Sequence, residues 1–214
     1  MRNFSGVLRL GVGAAMLFSI MWQITDRLAH NLFRPSEYFE YFTIESGILA
    51  AAVMVLAGLK AFRSKREDIR WVIVRLCVVT YEIVVGIIYN LLLRNTAPDA
   101  RDVGYHWPVL PNEILHVWAP ILITLDWVLS TGMAKIAFRR VWWVLAYPIV
   151  WITFMFGRGL IDSWYPYWFF SPIESSATTI ITYFFGILFF AIVVANLMVW
   201  VRRGVDKFAK EDAA

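Results

Sequence analysis

Apolar residues come in six long runs, separated by short charged or proline-bearing stretches. The runs cover residues 4–24, 38–59, 71–93, 109–133, 141–160 and 178–201. Each reaches the roughly 20 residues that an α-helix needs to cross about 30 Å of hydrocarbon. A segment with no water around it must close its backbone hydrogen bonds internally, so each run is expected to be a helix. The pattern predicts an all-α fold, a single polytopic membrane domain over 1–214 with six transmembrane helices. No internal repeat or linker marks a second domain.

The connections carry the charge. Lys60–Arg70 and Lys135–Arg140 are short basic loops, and a charged tail starts at Arg202. Fourteen of the twenty Lys and Arg residues fall on that side, counting Arg2 and Arg9. Five (Arg27, Arg34, Arg94, Arg101 and Arg158) fall on the other, and Arg75 lies inside the third run. The positive-inside rule then places both termini in the cytoplasm. The basic start of the first run resembles a signal peptide, but no small-residue cleavage pattern follows Gln23, so a retained helix is expected. Arg9 is expected to reach back to the near surface. The rings of Trp164-Tyr165-Pro166-Tyr167-Trp168 are expected at headgroup level.

Composition narrows the function classes. The chain is 60% apolar, against about 45–50% for soluble domains. Its net charge of +4 is accounted for by the loops. No basic patch alternates with exposed aromatics, which argues against a nucleic-acid partner. The single cysteine, Cys77, excludes an intrachain disulfide and a multi-cysteine metal site. His116, Glu113 and Glu45 show no known ligand spacing, and no nucleophile elbow, Walker loop or dinucleotide fingerprint occurs. Neither metal nor cofactor is expected.

The polar residues inside the runs hold the candidate chemistry. The fourth run opens with Asn112, Glu113 and His116 within two turns, and ionisable groups at membrane depth are costly unless they serve a function. Asn112 and Glu113 share a helix face with His116. Pro120 has no N–H, so the His116 carbonyl is left for another partner. In the second run Thr43, Glu45 and Ser46 come early. Thr43 and His116 enter from the same surface, at depths of roughly 8 and 10 Å. Asn90, Arg158 and Asp162 lie on that side too. Arg75 and Asp126 have matching depth from the opposite face and read as a structural ion pair; Glu82 lies deeper with no evident partner. Taken singly, Thr43 reads as a hydroxyl bonded to its own helix and His116 as an interhelical hydrogen-bonder. His30 and His106 read as surface residues.

The array Tyr41-Phe42-Thr43-Ile44-Glu45-Ser46, then Pro111-Asn112-Glu113-Ile114-Leu115-His116-Val117-Trp118-Ala119-Pro120, then Tyr147-Pro148, Arg158-Gly159 and Trp164-Tyr165-Pro166-Tyr167 resembles the bacterial Pr6Pr family of six-helix membrane proteins. That family is similar to the FAR-17a/androgen-induced-protein family, whose eukaryotic members are intramembrane threonine hydrolases of fatty acid esters of hydroxy fatty acids. The resemblance covers about residues 38–170. It implies Thr43 as nucleophile, His116 as its partner, a fatty acyl ester or other membrane lipid as substrate, and a bacterial inner membrane location.

Such chemistry needs a base within about 2.6–3.2 Å of the hydroxyl. It also needs a group to orient the imidazole, for which Asn112, Glu113 and Glu45 are the candidates. Asn112, Asn90 or Arg158 would stabilise the oxyanion, with acyl chains in an apolar cavity between helices. The competing reading is a lipid or small-molecule transporter or binding protein that uses the same polar residues.

Overall fold

The structure is a computed structural model that describes residues 2–63, 66–96 and 99–211. Six long helices follow one another. They are α1 (Arg2–Ala29), α2 (Phe42–Arg63), α3 (Ile69–Ile88, prolonged by a π turn at Tyr89–Leu93), α4 (residues 109–129), α5 (Ala146–Asp162, preceded by the 3-10 stretch Phe138–Leu145) and α6 (Ala177–Glu211). Helix α4 is built from Val109–Glu113, a π turn at Ile114–Trp118, and Ala119–Leu129. Cross-helix contacts show that the six alternate in direction. Residues 30–41, 94–96, 99–108 and 163–176 therefore share one end, called upper here, and 66–68 and 130–137 share the lower one.

Five stretches are long and apolar enough to cross a membrane: Phe4–Ala29, Phe42–Arg63, Ile69–Leu93, Phe138–Asp162 and Ala177–Val205. Their outward faces are apolar as well. On α6, Ile181, Phe185, Phe189, Val193, Leu197 and Trp200 form an exposed stripe at helical spacing. Water would not tolerate so large an apolar surface, whereas lipid tails match it. These are the surfaces of a polytopic integral membrane protein.

Several boundaries differ from the sequence expectation. Helix α2 starts at Phe42 rather than residue 38, because Pro35–Tyr38 makes a separate helical turn. Helix α4 stops at Leu129 rather than 133: Ser130 is extended and Gly132 has φ +75°. The freed end carbonyls find partners, since Arg202 of α6 donates to the carbonyls of Val128 and Ser130. Helix α6 continues through the charged tail to Glu211.

Helices α1 and α2 pack through glycines. A Cβ at Gly13 would lie 2.8 Å from Val55 and 2.9 Å from the Ala51 carbonyl, and one at Gly58 2.8 Å from Leu10. Close backbone approach through small residues is how membrane helices associate without a hydrophobic drive.

Arg9 does not reach the surface. It is buried, because α1 brings it against a carboxylate group that compensates its charge. Its Nε donates to Asp126 Oδ1 at 2.8 Å and its Nη2 to Ser130 at 2.6 Å. Arg75 donates to the other oxygen, Asp126 Oδ2, at 2.5 Å and to Glu67 at 2.6 Å. Two guanidiniums and two carboxylates thus balance in a dry lower-end network that ties α1, α3, α4 and the 66–68 segment together.

The aromatic run after α5 lies between two spans, at the upper end, and part of it is packed into the bundle. Tyr167, Phe169 and Phe170 are buried and form a second core cluster with Trp151, Ile152 and Met155. Gly159 makes this possible, for the ring of Tyr165 lies where a Cβ would be. The run therefore folds over the upper end of the bundle.

Candidate functional site

The upper end holds two polar centres. The first is built on paired π turns. Pro120 cannot donate to the His116 carbonyl, so the helix ladder slips and Ala119 N–H bonds the Ile114 carbonyl five residues back. On α3, the Asn90 side chain donates to the Gly86 carbonyl at 2.7 Å, and Arg94 N–H then reaches back to the Tyr89 carbonyl. Asn90 also donates to the carbonyl of His116 at 3.3 Å. Gly86 allows this approach: a Cβ there would sit 3.2 Å from that same oxygen.

His116 is buried and its orientation is fixed. Its ring stacks on Tyr89 with centroids 3.8 Å apart. Nδ1 lies 2.8 Å from the Asn112 carbonyl oxygen, which only accepts, so Nδ1 is the donor. The neutral ring then presents Nε2 as a lone pair. Backbone oxygen, rather than the side chain of Asn112, Glu113 or Glu45, is thus the group that sets the tautomer. The Asn112 side chain instead donates to the Tyr89 hydroxyl. Glu113 pairs with Arg94 at 2.7 Å, and Arg94 also donates to Asn90 at 2.8 Å.

The second centre surrounds the start of α2. The Tyr167 phenol faces the start of α2, close enough to the Thr43 side chain and to the backbone of Phe42 and Thr43 for their dipoles to act on it. Burial pushes the Tyr167 phenol up to about 12, with the dipoles at Thr43 and Phe42 working against that rise. Glu45 accepts from the Tyr147 hydroxyl at 2.5 Å. Phe42 packs edge-on against Tyr81 and Trp151 beside them.

Among the described residues, no hydrogen bond joins Thr43 to His116. Asn112, Asn90 and Arg158 are likewise turned to other partners. Arg158 bonds the Ser36 carbonyl at 2.6 Å, pairs with Asp162 at 2.7 Å and contacts the buried carboxylate of Glu40. Two small cavities hold about 10 and 20 Å³, and neither is lined by Thr43 or His116. Each has room for about one water.

Comparison with family models, with characterised proteins and with solved structures finds no match. The resemblance to Pr6Pr and FAR-17a proteins therefore rests on the residues quoted for it. Among the described residues, no three His, Cys, Asp or Glu side chains converge to hold a metal.

Sequence reasoning missed the tyrosines. Tyr89 and Tyr147 partner Asn112 and Glu45 and Tyr167 stands beside Thr43, yet the sequence reading gave none of them a role at the site. The signal was available, because a buried Tyr hydroxyl generally needs a polar partner. A charge network over the upper end was also missed. Asp102 pairs with Arg27 at 2.9 Å and with Arg34 at 2.6 Å, while Arg101 joins Glu37 at 2.8 Å to Asp99 at 2.5 Å. Arg27 lies over the ring of Trp107 at 4.7 Å.

The hydrogen bond from Arg101 holds the Asp99 carboxyl well below its ordinary value of 3.8. A carboxyl depressed on folding stabilises the fold fully above its unfolded value and loses that contribution as pH falls through the folded one. The 99–107 segment is thus expected to resist an acid-active protease at pH 5 and to be cut at pH 2. Arg101→Ala should make it sensitive at both.

Proposed function

We propose that the chain is a six-helix membrane protein with both termini in the cytoplasm, and that it hydrolyses lipid esters at its outer-leaflet end. Thr43 is the nucleophile and His116 the general base. The orientation is supported by the sequence count of fourteen Lys and Arg in 2–9, 60–70, 135–140 and 202–210 against five in the other connections. One observation carries the chemistry: the bond from His116 Nδ1 to the Asn112 carbonyl leaves Nε2 free to take a proton. A bacterial inner membrane is the location that the resemblance implies.

In the first half-reaction, the Thr43 hydroxyl turns from Tyr167 to His116. Nε2 takes its proton as Oγ1 bonds the ester carbonyl carbon, and the C–O bond to the leaving alcohol breaks as His116 returns the proton. In the second, His116 deprotonates a water that attacks the acyl-threonine, releasing the fatty acid and restoring Thr43. The scheme uses no metal or cofactor.

A second reading is a lipid or small-molecule binding or transport protein, and it is favoured by the place of Thr43 beside the Tyr167 phenol rather than in hydrogen-bond contact with a base. Turnover separates the two. Protein in lipid nanodiscs should release free fatty acid from fatty acid esters of hydroxy fatty acids, and Thr43→Ala should release none. A wild type that binds such esters without releasing fatty acid would establish the second reading.

A further inference from the structure

The stretch that leads into α5 at the lower end has no part in the hydrolysis scheme. Phe138–Leu145 runs for eight residues as a 3-10 helix, although such runs seldom exceed about three or four. Its sequence suits that geometry, because Phe-Arg-Arg-Val-Trp-Trp-Val repeats in threes. Side chains three apart eclipse one another in a 3-10 helix, so the residues form columns. The inner column is Phe138, Val141 and Val144. Val141 and Val144 are 1% and 0% exposed and belong to the main core. The other two columns are Arg139 with Trp142 and Arg140 with Trp143.

Those two columns face outward. Trp142 and Trp143 are 65% and 60% exposed. Arg139 is exposed, as is Lys135 just before the stretch, and Arg140 is half-buried. Arg203 of α6 pins the stretch in place. Its Nη2 donates to the Ile136 carbonyl at 2.7 Å, and its guanidinium lies over the Phe138 ring at 4.1 Å. Residues 138–162 form one of the candidate spans. At a rise of about 2 Å per residue, each Trp therefore sits roughly 6 Å deeper than the Arg of its column.

The cations here have no anion of their own. Among the described residues, no carboxylate pairs with Lys135, Arg139 or Arg140. The acids of the lower end are engaged elsewhere: Glu67 and Asp126 hold Arg9 and Arg75, and Asp68 caps α3. Guanidinium at the membrane surface with indole one step deeper matches the layering of a phospholipid, whose phosphate lies outside its glycerol esters.

We propose that the two Arg–Trp columns are a binding site for the headgroup of an anionic phospholipid. Arg139 and Arg140 donate to the phosphate oxygens, for which a guanidinium is well shaped. The indoles lie at the glycerol level, where an amphipathic ring is favoured, and their N–H groups can only donate, which suits the ester carbonyls. A zwitterionic lipid would bring an ammonium group that finds no carboxylate here, so net negative charge is selected. The inference rests neither on Thr43 chemistry nor on which leaflet the lower end faces.

Native mass spectrometry of the full chain in detergent, titrated with phosphatidylglycerol or phosphatidylcholine, tests this. Wild type should retain phosphatidylglycerol about tenfold more tightly or better, since each basic residue near a headgroup contributes appreciably to anionic-lipid binding. Arg139→Gln with Arg140→Gln should reduce that preference to about threefold or less. Both side chains lie outside the core, so the unfolding temperature without added lipid should stay as in wild type. Arg63→Gln with Arg70→Gln removes the same charge from exposed positions of α2 and α3 and should keep the preference. A wild type with no preference overturns the proposal, as does a preference unchanged in the Arg139/Arg140 variant. Equal loss in the Arg63/Arg70 variant also overturns it, because net charge rather than a site would then be responsible.

Discussion

Replacing Asp126 with alanine is expected to destabilise the protein by about 3–5 kcal/mol, the usual cost of removing one partner from a buried ion pair. Asp126 accepts from Arg9 at 2.8 Å and from Arg75 at 2.5 Å, and its side chain is 3% exposed. Without it, two buried guanidiniums share only Glu67, and neither can shed its charge, since an Arg side chain does not deprotonate in a protein. The loss would appear as reduced folded yield and a lower unfolding temperature in detergent. Ser5→Ala removes only a 3.3 Å hydrogen bond to the same carboxylate and should cost about 1 kcal/mol or less. Pairing Asp126→Leu with Arg75→Met should recover much of the loss, because Arg9 and Glu67 then balance and the seam becomes apolar. An Asp126→Ala protein as stable as the wild type would mean that Arg9 and Arg75 are solvated rather than buried.

His116→Ala is expected to lower ester hydrolysis by about 10²- to 10⁴-fold, the usual contribution of a general acid–base group. The effect should fall on the rate of acyl transfer, because the imidazole removes the Thr43 proton and returns it to the leaving alcohol. The unfolding temperature should move far less than in Asp126→Ala. Although the substitution loses the stack on Tyr89 and the bond to the Asn112 carbonyl, it leaves no buried charge. His116→Gln is an informative companion: an amide can reach the Asn112 carbonyl yet cannot serve as a base, so it should restore stability without restoring rate. Substantial activity in His116→Gln would show that His116 acts only by holding α3 and α4 together.

The apolar runs foretold the helices because lipid leaves a spanning segment little choice of backbone. Their ends were less legible. Helix α4 breaks at Ser130 because Arg202, seventy residues on, takes its last carbonyls, and no local pattern encodes that bond. The weakened point near His116 could be read from Pro120 alone. The partner of its carbonyl could not, since Asn90 reaches it only through the glycine gap at residue 86. Arg9 was misplaced for a related reason. A basic residue two turns from a helix start normally snorkels, and only the meeting of α1 with Asp126 makes burial favourable. The aromatic run from Trp164 to Trp168 has the composition of a headgroup belt, but its packing could not be read, since Tyr165 seats on the bare backbone of Gly159 and Tyr167 is buried. Thr43 shows the limit most plainly, because depth placed it level with His116 whereas the phenol beside it belongs to a tyrosine 124 residues away in sequence.

The most direct test of the proposed chemistry is intact-protein mass spectrometry after exposure of the detergent-solubilised chain to a fluorophosphonate. The expected result is one adduct on the wild type, mapped to Thr43 by peptide analysis and missing from Thr43→Ala and His116→Ala. A folded wild type that stays unlabelled, under conditions that label a control hydrolase, would contradict an activated threonine and leave Thr43 as a helix hydroxyl beside Tyr167.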